Sequence, residues 1–599
     1  MEFETLNQLL AKAAQTYRKE DALLYKKDGA WQKISSESWL SRARHLALGL
    51  HALGIERSDR VALLSENRHE WFLVDAALQI LGAPSVPIYS TLTSGQVAYI
   101  LKNSESKAVI VSDSVQQKKL AEIRAGLSSL QHVITLDPAT AIEGTPLEAV
   151  EALGREAAEK DPSAAERLAK AVTPEDLASI VYTSGTTGDP KGVMLTNRNF
   201  VSNVKASLQV LPLGPKDRAL SALPYSHVFE RMVAHYLYTA AGVSIALAFS
   251  IDTVIEDLGQ IHPTVMTMVP RFYEKMYARV KESAAAGSPL KRRIFDWAMA
   301  TGREHGEYRL RRESPPFGLG LRYRVATALV FKKLHRRLGG ELRFFVSGSA
   351  PLSKEIADFF WAAGITILEG YGLTETSPVI SVNPPERIRF GTVGPPVPGV
   401  EVEIAEDGEI LARGDNVMKG YWRNEAATRE AIDSRGFFHT GDIGVVDGDG
   451  FLTITDRKKD IIVTAGGKKI APQSIEGKLK TNAFIADVVV VGNRRSFAAA
   501  LILPNFEKVT LWCRESSIPA ENRAQMAAHP RVQALIMEQV EKVNLEFAQY
   551  ERVKRVALLS EEFTIERGEL TPTLKARRSV IEARYKHLID ELYHEQKPA

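Results

Sequence analysis

The chain of 599 residues contains a single cysteine, Cys513. A lone cysteine excludes an internal disulfide and any thiolate cluster for zinc, and it fits a reducing compartment. An excess of one charge is missing too. The 76 Lys and Arg against 73 Asp and Glu leave a net of +3, which gives no footing for nucleic-acid binding. Long hydrophobic runs are absent. The longest nearly uncharged stretch, Tyr236–Ser250, falls short of the roughly 20 residues needed to cross a bilayer. It predicts a helix end, a turn at Gly242 and a buried strand. The N-terminus "MEFETLNQLLAKAAQTY" begins acidic and turns amphipathic, without the basic start and apolar core of a secretory signal. There is no internal repeat and no low-complexity tract. These absences predict a cytoplasmic protein that meets a membrane only peripherally, if at all. What is present is ordinary for a globular chain, 45% apolar and 25% charged.

Strand-like and helix-like runs alternate through the first two-thirds. "RVALLSE" (60–66) precedes the helical "HEWFLVDAALQILG", and "LRFFVSGSAPLS" precedes "KEIADFFWAAG". Such alternation predicts an open α/β architecture with largely parallel sheets. The texture changes after Gly391. "VEVEIAEDGEILARG" alternates with period two about Asp407-Gly408, and "GVVDGDGFLTITD" does so about Asp447–Gly450, predicting antiparallel hairpins. Beyond the charged spacer "DRKKD" (456–460), short apolar runs interleave with helices. The expected organisation is a large N-terminal α/β domain over 1–456, with a β-rich subdomain at about 391–456, and a smaller C-terminal α+β domain over 457–599. Charge is uneven: between Arg271 and Gly340 there are 17 Lys/Arg and 6 Asp/Glu, a local net of +11. Solvated helix faces would account for this, as would a surface that touches anionic lipid.

One short stretch concentrates chemistry. "YTSGTTGDPKG" (Tyr182–Gly192) packs hydroxyls, glycines and one lysine between two apolar runs. Glycines let backbone N–H groups approach a ligand, hydroxyls donate without bulk, and lysine adds a point charge. That set suits a polyphosphate, although a mobile surface loop has a similar composition. "LASIVYT" before it reads as a buried strand and "NRNFVSNVKASLQVL" after it as a helix, so a strand–loop–helix unit is expected. A Walker loop is excluded: only two residues separate Gly185 from Gly188, and Gly192 follows Lys191.

Five segments in order resemble signatures of the adenylate-forming superfamily, which includes acyl-CoA synthetases, firefly-type luciferases and peptide-synthetase adenylation domains. "YTSGTTGDPKGVMLT" resembles its phosphate loop, "EGYGLTETSP" (369–378) its second signature and "FHTGDIG" (438–444) its third. "DRKKDIIVTAGGKKIAPQSIE" (456–476) resembles the hinge and thioester-forming loop, and "LTPTLKARR" (570–578) the C-terminal lysine motif.

This resemblance implies ATP, Mg²⁺ and CoA as reactants and ion, with Thr183, Ser184, Gly185, Thr186, Thr187, Gly188 and Lys191 on the β- and γ-phosphates. It implies Glu375 as the Mg²⁺ ligand and Thr374 as a donor to the α-phosphate. Tyr371 would stack on adenine, with Ser349 and Ala350 near the base and Glu369, Gly370 and Gly372 completing the nucleotide segment. Asp442 and Arg457 would meet the ribose. Lys575 would be the catalytic lysine, and His227 would lie near the acyl group. Lys459 would be the hinge of a mobile C-terminal domain whose rotation presents Gly466 and Gly467 to CoA.

The implied activity is formation of an acyl adenylate followed by transfer to CoA. "LPYSHVFER" and "HPTVMTMVPRFYEKMY" resemble the long-chain fatty acid branch. Ligases for medium-chain or aromatic acids, and fatty-acyl-AMP ligases that serve a carrier protein, share these motifs. Gly372 stands where acetate-specific relatives carry a pocket-capping tryptophan, so the pocket is expected to be open. Arg231 stands where one type of long-chain relative has a tryptophan gating the tunnel, so that gate is not expected here.

Overall fold

The computed structural model describes residues 2–140, 142–183, 189–248, 250, 253–519, 521–571 and 576–594. Two eight-stranded sheets dominate the first part of the chain. In one, Leu177–Thr183, Ser85–Ile88, Val61–Leu64, Ala108–Val111 and His132–Thr135 lie side by side in parallel. In the other, Thr366–Gly372, Phe344–Ser347, Val265–Met268, Arg218–Ser221, Ser244–Leu247 and Leu23–Lys27 run parallel between antiparallel edge strands. Many of these strands are short and buried from end to end, as expected where helices cover both faces of a parallel sheet. A single apolar core joins the two sheets and the helices between them.

The phosphate-loop segment departs from the expected strand–loop–helix unit. Lys191–Thr196 forms a second strand, antiparallel to Leu177–Thr183 with Thr183 opposite Lys191, and only then does the helix Asn197–Val210 begin. The two strands on either side of the loop therefore pair as the arms of a β-hairpin. The cue lay in "KGVMLT", where Val193 and Leu195 are both buried. Thr196 caps the helix, its side chain accepting from the Asn199 N–H.

Hairpins replace crossovers after Gly391. Val400–Ile404, Glu409–Gly414, Phe438–Val446 and Leu452–Arg457 make a four-stranded antiparallel sheet. Its last pairing sets Asp442 opposite Arg457. The C-terminal part is built on Ile485–Val491, Ala498–Pro504 and Val553–Leu558. No helix of the described residues is long and apolar enough to cross a membrane.

A polar knot holds the interior. Arg231 is fully buried and ion-paired with Asp75. Its guanidinium also donates to Ser179 Oγ (2.6 Å), Ser85 Oγ (2.8 Å) and the Tyr236 hydroxyl (3.1 Å from Nε). Tyr236 in turn donates to Asp75 at 2.6 Å, and His235 Nε2 lies 3.1 Å from the same carboxylate. Burial opposes ionisation of Asp75, but the charge of Arg231, together with the His235 ring and the Tyr236 hydroxyl beside the carboxylate, outweighs it and holds the carboxyl down at about 2. Arg231 is thus a clamp between the wide helical turn Arg231–Leu237, the helix His69–Leu81 and two strands, and it has no freedom to act as a gate. Breaking such a pair by removing one partner typically costs about 3–5 kcal/mol.

Candidate active site

A cavity of about 1270 Å³ opens between the large sheets, the antiparallel subdomain and the C-terminal part. Of the residues implied by the resemblance, Thr183, Lys191, His227, Ser349, Gly370, Tyr371, Gly372, Thr374, Glu375, Asp442, Arg457 and Lys459 line it. They come from both sheets, the hairpin, the short helix Thr374–Thr376 and the turn after Arg457.

Asp442 is buried and accepts from the Tyr371 hydroxyl at 2.7 Å; Arg457 Nε lies 3.3 Å from its other oxygen. Burial, and then the charge of Asp442, push the Tyr371 phenol well above its usual range, so it stays a donor. Glu375 Oε1 accepts from the Tyr421 hydroxyl at 2.9 Å. Burial raises the Glu375 carboxyl, against opposing contributions from Tyr421, Arg457 and Lys191. A multivalent cation beside it would restore the carboxylate. The Lys191 ammonium sits 5.0 Å over the Tyr421 ring. His227 Nδ1 accepts from the Phe229 N–H at 3.2 Å, which puts the proton of the neutral ring on Nε2. Lys459 is lowered by burial and by the neighbouring Arg457.

Part of the cavity lining is apolar. Leu211, Val233, Leu237, Val346, Val379 and Val382 contribute to it. Val233 and Leu237 belong to the same wide turn as Arg231 and His235. Val233 and Leu237 therefore line the cavity while Arg231 and His235 are held in the polar knot.

Several expectations change. Ser184, Gly185, Thr186, Thr187, Gly188 and Lys575 lie outside the described residues. On either side of Lys575, Thr571 and Ala576 line the cavity, and Leu570 bridges to Ala576. Gly466 and Gly467 do not line it; a Cβ added at either would meet nothing within 4 Å. Of the C-terminal part, Thr571 and Ala576 therefore border the cavity, and Gly466 and Gly467 do not. Ala350 is exposed beyond the cavity edge. Gly372 is not simply an unfilled position: a Cβ there would fall 1.8 Å from the Pro378 carbonyl oxygen. The glycine is required by close backbone approach, and a tryptophan would first have to displace that backbone.

Glu369 is also a correction. It pairs with Ser347 within the parallel ladder, is buried, and does not line the cavity. Burial pushes its carboxyl up to about 8, with backbone N–H groups of Gly391 and Leu352 only partly opposing this. The folded protein therefore binds a proton that the unfolded chain releases near pH 4.5, and stability falls as pH rises from about 4.5 to about 8. Glu369→Gln should remove that fall. Its melting temperature should match the parent's in acid and exceed it progressively up to about pH 8, by an amount equivalent to roughly 2–5 kcal/mol. An advantage that is constant with pH would contradict this.

Tyr421 was missed by sequence reasoning. It lies in "MKGYWRNE", where a two-residue strand, Gly420–Tyr421, pairs with Met194 and Val193 beside the phosphate hairpin. The signal available was two adjacent aromatics after a glycine in an otherwise polar segment.

Comparisons with known proteins agree with this geometry. A family model described as AMP-binding enzyme matches residues 10–422, and one described as AMP-binding enzyme C-terminal domain matches 459–597. The long-chain-fatty-acid–CoA ligase FadD15 of Mycobacterium tuberculosis is 37% identical over 96% of this chain and 95% of its own. The peroxisomal long chain acyl-CoA synthetase 7 of Arabidopsis thaliana is 31% identical over 99% of this chain and 87% of its own. Among solved structures, the anthranilate CoA ligase AuaEII with anthranoyl-AMP superposes with a TM-score of 0.76 at 20% identity, covering 98% of each chain. ATP-bound MatB of Rhodopseudomonas palustris gives 0.70 at 23% identity, covering 98% of this chain and 99% of its own. At these identities the two structures speak for the fold, and the family model and the curated relatives speak for descent: the chain belongs to the AMP-binding enzyme family.

Proposed function

We propose that this chain is a long-chain fatty acid–CoA ligase that works through an acyl adenylate. The observation that carries the reading is a cavity lined both by hydroxyls, carboxylates and cations and by the apolar side chains Leu211, Val233, Leu237, Val346, Val379 and Val382. Curated relatives that span nearly the whole chain carry names for this reaction. An oxygen of the fatty acid carboxylate attacks the α-phosphorus of ATP. The bond to the bridging oxygen breaks, and pyrophosphate leaves with the electron pair. Two anions meet in this step, so donors and positive charge must be fixed beforehand.

Thr183, Ser184, Gly185, Thr186, Thr187, Gly188 and Lys191 would hold the β- and γ-phosphates, with Thr374 donating to the α-phosphate. Tyr371 and Ser349 would border adenine, and Asp442 and Arg457 the ribose. Lys575 would stand between the carboxylate and the α-phosphate, and His227 beside the acyl carbon. Glu375 suits Mg²⁺, which takes one or two carboxylates and completes its shell with phosphates and water. Among the described residues no group of three or more His, Cys, Asp or Glu could hold a metal by itself. When bound, the ion neutralises phosphate charge. In the second step the CoA sulfur attacks the acyl carbonyl, the carbon–oxygen bond to AMP breaks, and the thiol proton passes to solvent. Gly466 and Gly467 would let the pantetheine arm approach the backbone after the C-terminal domain rotates about Lys459. The enzyme would be cytoplasmic and would meet its substrate at an anionic membrane through the basic segment 271–340.

Pyrophosphate and AMP release across acids from acetate to oleate, with and without CoA, test the reaction. Sustained turnover should require CoA and favour the longer acids. Turnover indifferent to CoA, or acetate as the best acid, would contradict the reading.

A further inference from the structure

Residues Phe317–Ala326, Thr327–Phe331 and Lys332–Arg337 form one continuous helical run on the protein surface, packed against the long helix Pro289–Arg311. Leu319, Ala326, Phe331 and Leu334 are buried and anchor it. Its outer face is unusual. Phe317, Leu321, Val325 and Leu329 recur every fourth residue, and their exposures are 89%, 54%, 44% and 62%. Thr327–Phe331 is a wide turn with i→i+5 bonding. In an ordinary helix four residues slightly exceed one turn and a stripe at this spacing drifts round the axis; in the wide turn four fall slightly short. Leu329 is thereby brought back toward the line of the other three.

Charge flanks the stripe. Arg322, Arg324, Lys332, Lys333, Arg336 and Arg337 are all exposed, and no Asp or Glu occurs between Phe317 and Arg337. The facing helix contributes Glu304, which pairs with Arg322 at 3.1 Å, and its Leu290 and Leu310 are also exposed.

We infer that the helical run Phe317–Arg337 is a docking surface for anionic phospholipid membranes, with Phe317, Leu321, Val325 and Leu329 entering the headgroup boundary and the flanking Lys and Arg meeting lipid phosphates. A helix that lies in an interface has this composition: one apolar line, a basic surround and no acid. A second copy of the chain is the poorer occupant. A two-fold contact would set the same patch against itself, bringing Arg324, Lys332, Lys333, Arg336 and Arg337 against their own copies in place of an anionic partner. This inference rests on the membrane reading proposed above and names the element and the side chains responsible.

The test uses the full chain and two vesicle preparations, phosphatidylcholine alone and phosphatidylcholine mixed with phosphatidylglycerol. The parent should co-sediment with the mixed vesicles and detach in high salt. The variant Phe317→Gln/Leu321→Gln/Val325→Gln/Leu329→Gln removes no buried side chain and should bind at least about tenfold more weakly. Lys332→Gln/Lys333→Gln should lose about fivefold per residue at low salt and less at high salt. Both variants should keep parental turnover of octanoate, a water-soluble acid. Three results would each overturn the proposal: the glutamine-stripe variant binding like the parent, a parent that ignores lipid charge, or a parent that leaves vesicles alone and self-associates through the stripe in sedimentation. Turnover of octanoate and of oleate with CoA reports separately on the ligase reading, so vesicle binding without turnover of either acid would overturn that reading and leave this one standing.

Discussion

Replacing Lys575 with alanine should lower ATP-dependent pyrophosphate release by about 10²- to 10³-fold. Thioester formation from supplied acyl-AMP and CoA should stay within about tenfold of the parent. The asymmetry follows from where charge develops. In the first step a carboxylate and an α-phosphate share a crowded, increasingly negative transition state, and a fixed ammonium between them is worth most at that moment. In the second step the anhydride already exists, and the leaving group is an AMP whose ribose would remain held by Asp442 and Arg457 on the reading proposed above. The described residues flanking Lys575, Thr571 and Ala576, border the cavity, which is the arrangement the first step requires. A quenched-flow assay of pyrophosphate, paired with a thiol-consumption assay started from synthetic acyl-AMP, separates the two. Equal losses in both would refute the division of labour.

Much of this layout was legible in the sequence, because it is carried by local pattern. The buried run Leu177–Thr183, the hairpin turn at Asp407-Gly408 and the αL glycine Gly242 stand where periodicity and turn chemistry put them. What was not legible depends on partners remote in the chain. Lys191–Thr196 reads as a prelude to a helix until it is paired with Leu177–Thr183 and with Tyr421. Arg231 looks like a substitution at a tunnel gate; only Asp75, Ser85 and Ser179, brought in from elsewhere in the chain, reveal a buried clamp. Glu369 sits in a signature with cavity residues yet is inside the ladder, and Gly372 faces a carbonyl oxygen that no spacing rule could place. Motifs report which residues a site uses; they do not report which member of a motif packs inward to hold the others.

Lys459→Pro should give the mirror image of the Lys575 variant: pyrophosphate release close to the parent's, and thioester formation from supplied acyl-AMP lowered by roughly 10²-fold. The turn after Arg457 shows why. Lys458 is fastened to the antiparallel subdomain, its ammonium 2.7 Å from Asp407 and 2.9 Å from Glu409, and its N–H donates to the Gly441 carbonyl at 2.8 Å. From Ile462 onward the chain belongs to the C-terminal sheet and core. Any rotation of one part against the other must therefore be absorbed by the few dihedrals between these anchors. The turn's own hydrogen bonds run from the N–H groups of Asp460 and Ile461 to Arg457, so a proline at 459 breaks neither of them. It fixes φ at that residue and narrows the choices of Lys458. The cavity-facing orientation of Thr571 and Ala576 would be kept, and the swing that brings Gly466 and Gly467 to the acyl group would be lost. If the proline variant instead forms thioester at the parental rate, the rotation is not centred on this turn, and the orientation described here already serves both steps.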